Sequence, residues 1–154
     1  MTSLSYDVIQ RLKGKTLVTA ESCTGGGIGA ALTAVSGSSQ VYKGGIISYT
    51  NWVKENLLLV DSNVIEEFGP VSSQVAKAMA EGARTALQAD VAVSVTGLAG
   101  PGGDEYGNPV GTVYIGYSDG NITECVSCNF SGDRESIRNQ AIQTALKVIL
   151  QNNA

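Results

Sequence analysis

The sequence contains no histidine among its 154 residues. Histidine is the usual base that activates a serine or cysteine nucleophile, so such chemistry here would need another base, most naturally a lysine. Only three cysteines are present, and without histidine they make a tetrahedral zinc site improbable. Cys125 and Cys128 are three residues apart in a predicted strand, which sends their side chains to opposite faces. We therefore expect buried cysteines, no metal site and no cofactor.

The sequence also lacks long apolar runs and an excess of positive charge. No stretch approaches the roughly 20 apolar residues of a membrane span, and the N-terminal segment lacks the apolar centre of a secretory signal. The formal net charge is −4, which argues against a nucleic-acid-binding face. An odd cysteine count without a secretory signal indicates a reducing compartment. We expect a cytoplasmic protein with neither a membrane nor a nucleic acid as partner.

The apolar pattern predicts a single α/β domain over residues 1–154. Helices are predicted at 3–13, 25–36, 52–58 and 63–68, then from Ser72 or Ser73 to near Leu87, and from Asp133 onward. Strands are predicted at 15–20, 41–50, 90–95, 111–117 and 122–130. The last two strands flank a hairpin turn and must be antiparallel. The order of elements favours a layered α/β/α domain with a mixed sheet.

Three polar loops, at 21–27, 49–54 and 96–103, follow three of these strands. Ligands of open α/β sheets bind at the carboxyl ends of the strands, so we expect the loops to converge if the strands are parallel neighbours. The first loop has the sequence Glu21-Ser-Cys-Thr-Gly-Gly-Gly27 and leads into a helix. Its small hydroxyl side chains and free backbone amides, at the positive end of a helix, favour an anion or a developing oxyanion.

Each of these residues also has an ordinary structural interpretation. Ser22 can cap the following helix, and Lys54 can be a solvated surface lysine. Tyr49 can be a half-buried core residue with its hydroxyl at the rim. Cys23 is a rival nucleophile that lacks its usual activating histidine. Glu21 can orient Lys54, orient a backbone amide, or simply favour the helix dipole, and the sequence does not separate these roles.

Four motifs resemble those of the CinA C-terminal domain family, which includes stand-alone nicotinamide-nucleotide amidohydrolases. They occur in the expected order and spacing over nearly the whole chain, and together they make a chance resemblance very improbable. The motifs are AESCTGG at 20–26, YKGGIISY at 42–49 with Lys54, TGLAGPG at 96–102 and GDRESIR at 132–138. They belong to the C-terminal domain of that family, so nothing is carried over from the N-terminal domain of its longer members.

The resemblance implies hydrolysis of nicotinamide mononucleotide to nicotinate mononucleotide and ammonia. It implies a Ser–Lys mechanism through an acyl-enzyme, with Ser22 as nucleophile, Lys54 as base and Tyr49 assisting. An ordinary lysine, with a pKa near 10.4, is a poor base at neutral pH. Burial or a place at a helix N-terminus lowers that pKa, and Lys54 lies in the first turn of the predicted 52–58 helix. The Tyr49 hydroxyl is positioned to bridge Ser22 and Lys54.

The remaining site residues are expected to bind the substrate, a small nucleotide. Backbone amides around Cys23, Thr24 and Gly25 are candidates for an oxyanion hole. The loop from Thr96 through Gly97 and Gly100 offers a hydroxyl and glycine amides to a phosphate, although it can also be a plain connection. Arg138 or Arg134 would clamp the phosphate. Arg138 is slightly preferred, because it is the second arginine of the GDRxxxR run; Arg134 can equally lie on an exposed charged face.

Two alternative functions remain open at this stage. The chain can be a nucleotide-binding or regulatory module that keeps the pocket without efficient turnover, since a complete residue set does not guarantee catalytic geometry. It can also be an amidase for another small amide. A homodimer or higher homo-oligomer is compatible with the composition and with what the family often forms, but no residue fixes the interface.

Overall fold

The computed structural model describes residues 3–154 and has the predicted order of helices and strands. The bounds differ from the predicted ones by at most three residues, and a short 3₁₀ turn at Ser38–Gln40 is added. The helices are α1 (Leu4–Arg11), α2 (Gly27–Thr33), α3 (Asn51–Asn56), α4 (Ser62–Phe68), α5 (Ser73–Ala86) and α6 (Arg134–Asn152). The strands are β1 (Leu17–Glu21), β2 (Tyr42–Ile47), β3 (Val91–Gly97), β4 (Thr112–Ser118) and β5 (Thr123–Asn129).

The five strands form one mixed sheet in the order β2-β1-β3-β4-β5. The first three strands are parallel, and the β3–β4 and β4–β5 pairs are antiparallel. This confirms the predicted mixed sheet and places the ends of β1, β2 and β3 side by side. The last two strands are the predicted hairpin, in which the Asp119 carboxylate accepts bonds from the amides of Asn121 and Ile122.

Helices cover both faces of the sheet, as expected for a layered α/β/α domain. We call the side covered by α1, α2 and α6 the α2 face, and the side covered by α4 and α5 the α5 face. Successive strand residues point to opposite faces, so Leu17 packs on the α2 face whereas Val18 and Ala20 pack on the α5 face. Among residues 3–154, no helix is long and apolar enough to cross a membrane.

Candidate active site

The polar side chains that follow the three parallel strands lie side by side. Glu21, the last residue of β1, pairs with Ile47 of β2 and with Val95 of β3. The next position along each chain therefore forms a row across the sheet, and its members are all hydroxyl residues: Ser48, Ser22 and Thr96. All three are buried. The expected convergence of the three loops is confirmed by this register.

The side chain of Lys54 contacts two members of this row, Ser22 and Ser48. The helix α3 begins after Thr50, whose hydroxyl accepts a hydrogen bond from the Val53 amide, and it delivers Lys54 into the interior with only 2% of the residue exposed. The Lys54 ammonium Nζ donates to the carbonyl oxygen of Ser48 at 2.9 Å and to Ser22 Oγ at 3.4 Å. The surface-lysine interpretation is wrong, because the side chain is enclosed and contacts the candidate nucleophile.

Burial changes the acidity of this lysine. Loss of hydration disfavours the charged amine and lowers the pKa of Lys54 from 10.5 to about 8, while interaction with Cys23 opposes the shift. A base with a pKa near the working pH transfers protons most effectively. The pair of Ser22 and Lys54 therefore has both the contact and the acidity that a nucleophile and its base require.

Glu21 has a structural role on the opposite side of the sheet. Its buried carboxylate accepts four hydrogen bonds: Oε1 from Thr24 Oγ1 and the Ile28 amide, both at 2.7 Å, and Oε2 from the Gly29 amide and Thr19 Oγ1. It thus satisfies amides at the start of α2 and complements the positive end of that helix. Of the roles left open for Glu21, the structure places it on backbone amides and gives it no hydrogen bond to Lys54.

Ser22 is not the cap of α2. The N-cap position is Gly26, which makes no side-chain hydrogen bond. Gly25 and Gly26 both have positive φ, 58° and 98°, so the turn takes a path that glycine follows at little cost. The backbone amide of Ser22 donates to the Val95 carbonyl, which ties the turn to β3. The Ser22 hydroxyl is therefore free of a capping role and accepts a hydrogen bond from Lys54.

Cys23 is poorly suited to be the nucleophile. The thiol is buried, and loss of hydration raises its pKa to about 11, against the lowering effects of its own backbone amide and of Arg138. A thiol reacts as the thiolate, which is scarce at neutral pH under these conditions. All three cysteines are free, and Cys23 and Cys128 are buried as expected, whereas Cys125 is only half-buried.

The two candidate phosphate-binding arginines lie in different places relative to the pocket. Arg138 is half-buried and donates to the carbonyl oxygens of Cys23 at 2.9 Å and Thr24 at 3.2 Å, so it holds the turn that carries Ser22. Arg134 lines the pocket and donates to the carbonyl oxygen of Gly100. Arg134 lines the pocket and Arg138 does not, so the arrangement favours Arg134 as the phosphate ligand, and the preference for Arg138 stays a prediction.

Tyr49 is placed at the mouth of the site rather than between the dyad residues. It is 61% exposed, and its hydroxyl accepts a hydrogen bond from Arg134 Nη2 at 3.3 Å. No hydrogen bond joins it to Ser22 or Lys54 within residues 3–154, so the expected bridge is not formed here. The physical reason is that Lys54 reaches Ser22 directly, which leaves no gap for a phenol to span.

A cleft of about 320 Å³ opens beside Ser22 and Lys54. Its walls carry two cationic side chains, Lys54 and Arg134, and no acidic one. The other walls are Cys23, Tyr49, Asn51, Pro70, Val71, Thr96, Gly97, Leu98, Ala99, Gly100 and Gly102. A larger groove of about 540 Å³ runs along α6, but none of its lining residues is buried, so it lacks the enclosed groups that chemistry needs.

The loop after β3, which lines this cleft, contains backbone amides without acceptors. The amides of Ala99, Gly100 and Gly102 have no acceptor within residues 3–154, and all three residues line the cleft. Amides of this kind beside an arginine form an anion-binding arrangement. Thr96 also lines the cleft, but its hydroxyl donates to the carbonyl oxygen of Pro70 at 2.7 Å. Its proton is therefore already used within the protein.

The oxyanion-hole expectation is only partly compatible with the turn. The Gly25 amide donates to the Ser22 carbonyl oxygen, so it is occupied. The amides of Cys23 and Thr24 have no backbone acceptor within residues 3–154, although the Cys23 amide interacts with the Cys23 thiol. Of the three expected residues, Cys23 alone lines the cleft, whereas Thr24 is turned toward Glu21.

Sequence reasoning missed Asn51, Pro70 and Val71 as lining residues. Asn51 carried a signal, because it stands between Tyr49 and Lys54 in a loop already singled out. Val71 carried none, because it reaches the cleft from the connection between α4 and α5, which no motif marked. Within residues 3–154, no three histidine, cysteine, aspartate or glutamate side chains form a group that could hold a metal ion.

Comparison with known proteins identifies similar chains. The family model described as the CinA C-terminal domain matches residues 1–152. A CinA-like protein of Synechococcus sp. strain RCC307 is 55% identical over 115 residues, which are 73% of this chain and 28% of that protein. A CinA-like protein of Rippkaea orientalis is 48% identical over 141 residues, 90% of this chain and 34% of that protein. This chain thus spans about a third of the length of these curated relatives.

Solved structures agree with this match. The competence-damaged protein (CinA) superfamily protein from Enterobacter cloacae superposes with a TM-score of 0.95 at 34% identity, covering 98% of this chain and 90% of that one. The competence/damage inducible protein CihA from Agrobacterium tumefaciens gives a TM-score of 0.94 at 38% identity, covering 98% and 94%. The layered α/β/α architecture is therefore shared with these proteins.

Proposed function

This chain belongs to the CinA C-terminal domain family, and from that premise we propose that it is an amidohydrolase of nicotinamide mononucleotide. The products are nicotinate mononucleotide and ammonia. One observation carries the proposal: in a protein without histidine, a buried lysine with a lowered pKa lies 3.4 Å from a buried serine hydroxyl.

The reaction starts from the neutral amine of Lys54. Lys54 takes the proton of Ser22 as Ser22 Oγ attacks the carboxamide carbon, and a tetrahedral intermediate forms. The C–N bond then breaks, the proton passes to the departing nitrogen, and ammonia leaves an acyl-enzyme. Lys54 then takes a proton from water as the water attacks the ester; the bond between carbon and Ser22 Oγ breaks, and Lys54 returns the proton to Ser22. The Cys23 amide, which lacks a backbone acceptor within residues 3–154 and belongs to a residue that lines the cleft, is the best-placed donor to the oxyanion.

The cleft also supports a phosphorylated substrate. Arg134 and the unpaired amides of the 99–102 loop lie on the same cleft as Ser22, and no carboxylate lines it. An arginine with backbone amides is a common anion-binding combination. Tyr49, hydrogen-bonded to Arg134, is positioned to hold that guanidinium or to contact the substrate at the mouth.

The test is to incubate the purified protein with nicotinamide mononucleotide and to measure ammonia and nicotinate mononucleotide. We expect turnover by the wild type and a loss of about 10³-fold in Ser22→Ala, the scale of nucleophile removal. Ser36→Ala, a change at an exposed serine after α2, is the matched control and should keep full activity. Binding of the nucleotide without release of ammonia would instead support the regulatory-module alternative. Activity that survives Ser22→Ala but is lost in Cys23→Ala would move the nucleophile to the thiol.

A further inference from the structure

Ser48 carries an unexplained hydroxyl. It is completely buried, and its Oγ is the buried side-chain polar atom within residues 3–154 that has no hydrogen-bond partner. A buried polar group without a partner costs free energy, and protein interiors rarely retain one without a reason. The reason must lie in what surrounds Ser48.

Ser48 lies on the same face of the sheet as Ser22. Ile46 packs against the apolar cluster of the α5 face, and so does Ala20. Two residues further along, Ser48 and Ser22 share that face, because side chains alternate along a strand. The register pairs the two strands up to Glu21 and Ile47, so Ser48 and Ser22 are adjacent positions on neighbouring strands, about 4.8 Å apart.

The Lys54 amine is already bound to Ser48. Nζ lies 2.9 Å from the carbonyl oxygen of Ser48 and 3.4 Å from Ser22 Oγ. The Ser48 hydroxyl belongs to the same residue as that carbonyl, which holds the Lys54 amine at 2.9 Å. A change of the Ser48 side-chain rotamer therefore moves Oγ relative to this amine.

The hydrogen-bonding needs of Lys54 change during the proposed reaction. An ammonium has three donors. The Ser48 carbonyl takes one and Ser22 Oγ takes another, and within residues 3–154 the third has no acceptor. When the O–H bond of Ser22 breaks, the N–H bond of Lys54 forms and Oγ joins the substrate carbon, Oγ becomes an ether-type oxygen of the tetrahedral intermediate, a poorer acceptor. The newly formed ammonium is then buried with only one good partner.

We infer that Ser48 is a positioning residue for Lys54: the Ser48 hydroxyl accepts a hydrogen bond from the lysine ammonium, the form that Lys54 takes when Ser22 attacks the substrate. The inference rests on the proposed function for its place in the reaction. Within residues 3–154, Ser48 Oγ and the third N–H of the Lys54 ammonium both lack a partner, so the same bond is available whenever Lys54 is charged, in the substrate-free protein as well as during the reaction. The proton still leaves with ammonia, so Ser48 neither gains nor loses one overall.

The other ionisable groups around the amine are few. Cys23, Tyr49 and Arg134 line the same cleft. The carboxylate of Glu21 points to the opposite face and makes no hydrogen bond to Lys54. No acidic side chain lines the cleft, so within residues 3–154 the acceptors available to the ammonium are neutral oxygens, and the loss of one should be measurable.

The test compares Ser48→Ala and Ser48→Thr with the wild type. The ¹³Cε chemical shift of Lys54, assigned by its loss in Lys54→Met, gives the titration midpoint without any substrate. In Ser48→Ala we expect the midpoint to fall by about one pH unit, because the charged amine loses an acceptor. We expect kcat to fall about tenfold at nearly unchanged KM, while the urea midpoint of unfolding stays the same or rises, since the unpaired hydroxyl is gone.

Ser48→Thr retains a hydroxyl and should keep both the midpoint and kcat near those of the wild type. An unchanged Lys54 midpoint in Ser48→Ala overturns the inference, even if kcat and stability fall, because that pattern belongs to a merely structural residue. If Ser48→Thr does not fold, the alanine variant alone decides. If the wild type does not hydrolyse nicotinamide mononucleotide, the proposed function fails, whereas the NMR midpoint still tests the contact with Lys54.

Discussion

Glu21 and Ser22 are consecutive residues whose side chains end on opposite faces of one sheet. On the α2 face, the Glu21 carboxylate has four donors, which come from β1, from the turn that follows it and from the start of α2. On the α5 face, Ser22 meets a lysine with a lowered pKa, next to a serine hydroxyl with no partner. A polar network that is fully paired fixes the backbone, whereas one left incomplete is available to a reacting molecule.

Removal of the base should have the largest effect on the α5 face. In Lys54→Met the side chain keeps its length but has no amine to take the Ser22 proton, so kcat for nicotinamide mononucleotide should fall about 10³-fold. The matched control is Lys43→Met, since Lys43 is exposed and donates only to the Gln88 carbonyl oxygen. Equal activity in Lys54→Met and Lys43→Met would show that Lys54 is not the base.

Removal of charge on the α2 face should act on stability first. Glu21→Gln keeps the shape of the side chain, but its NH₂ group would face the hydroxyl and amide donors that now bond to the carboxylate. The free energy of unfolding should therefore fall by about 1–3 kcal/mol. Activity should fall less than in Lys54→Met, through a looser turn. Urea denaturation checks this, with Ser22→Ala as the counterpart that loses activity and keeps its stability. A Glu21→Gln variant as stable as the wild type would contradict the structural role.

The two arginines extend the comparison along α6. Arg134→Ala should raise KM about tenfold at nearly constant kcat, because a charged donor to the substrate anion is lost. Arg138→Ala should instead lower kcat and the thermal midpoint together, because two carbonyls of the nucleophile turn lose their donor. Steady-state kinetics of both variants separate these patterns. A pure KM effect in Arg138→Ala would restore it as the phosphate ligand.

The smallest effect is the pH dependence of stability. The folded-state pKa of Lys54, about 8, lies below the ordinary value of 10.5. Between these values the unfolded chain holds a proton that the folded protein does not, so this lysine makes stability rise with pH over that window. The free energy of unfolding of the wild type, relative to that of Lys54→Met, should be lowest below pH 8 and should rise up to about pH 10.5. Urea midpoints measured for both proteins across that range check the sign.

Most of the fold and the central pair of the site could be predicted from the sequence. The spacing of apolar residues predicted the helices and strands, because burial of one face imposes a regular period on each of them. The missing histidine and the motif residues pointed to Ser22 and Lys54, whose contact the structure bears out. The structure differs from the expectation for Tyr49, which makes no bridge, and for Arg138, which does not line the cleft; both are side chains with several rotatable bonds whose partners depend on packing.

By itself the sequence determined the layered architecture, the three loops at the strand ends and the need for a base other than histidine, since these follow from local pattern and composition. Only the tertiary structure decided which arginine faces the cleft, that Glu21 closes the start of α2, and that Ser48 stands beside Ser22. The physical reason is that contacts between residues tens of positions apart depend on strand register and helix docking, and a shift of one residue would turn each of these side chains to the other face.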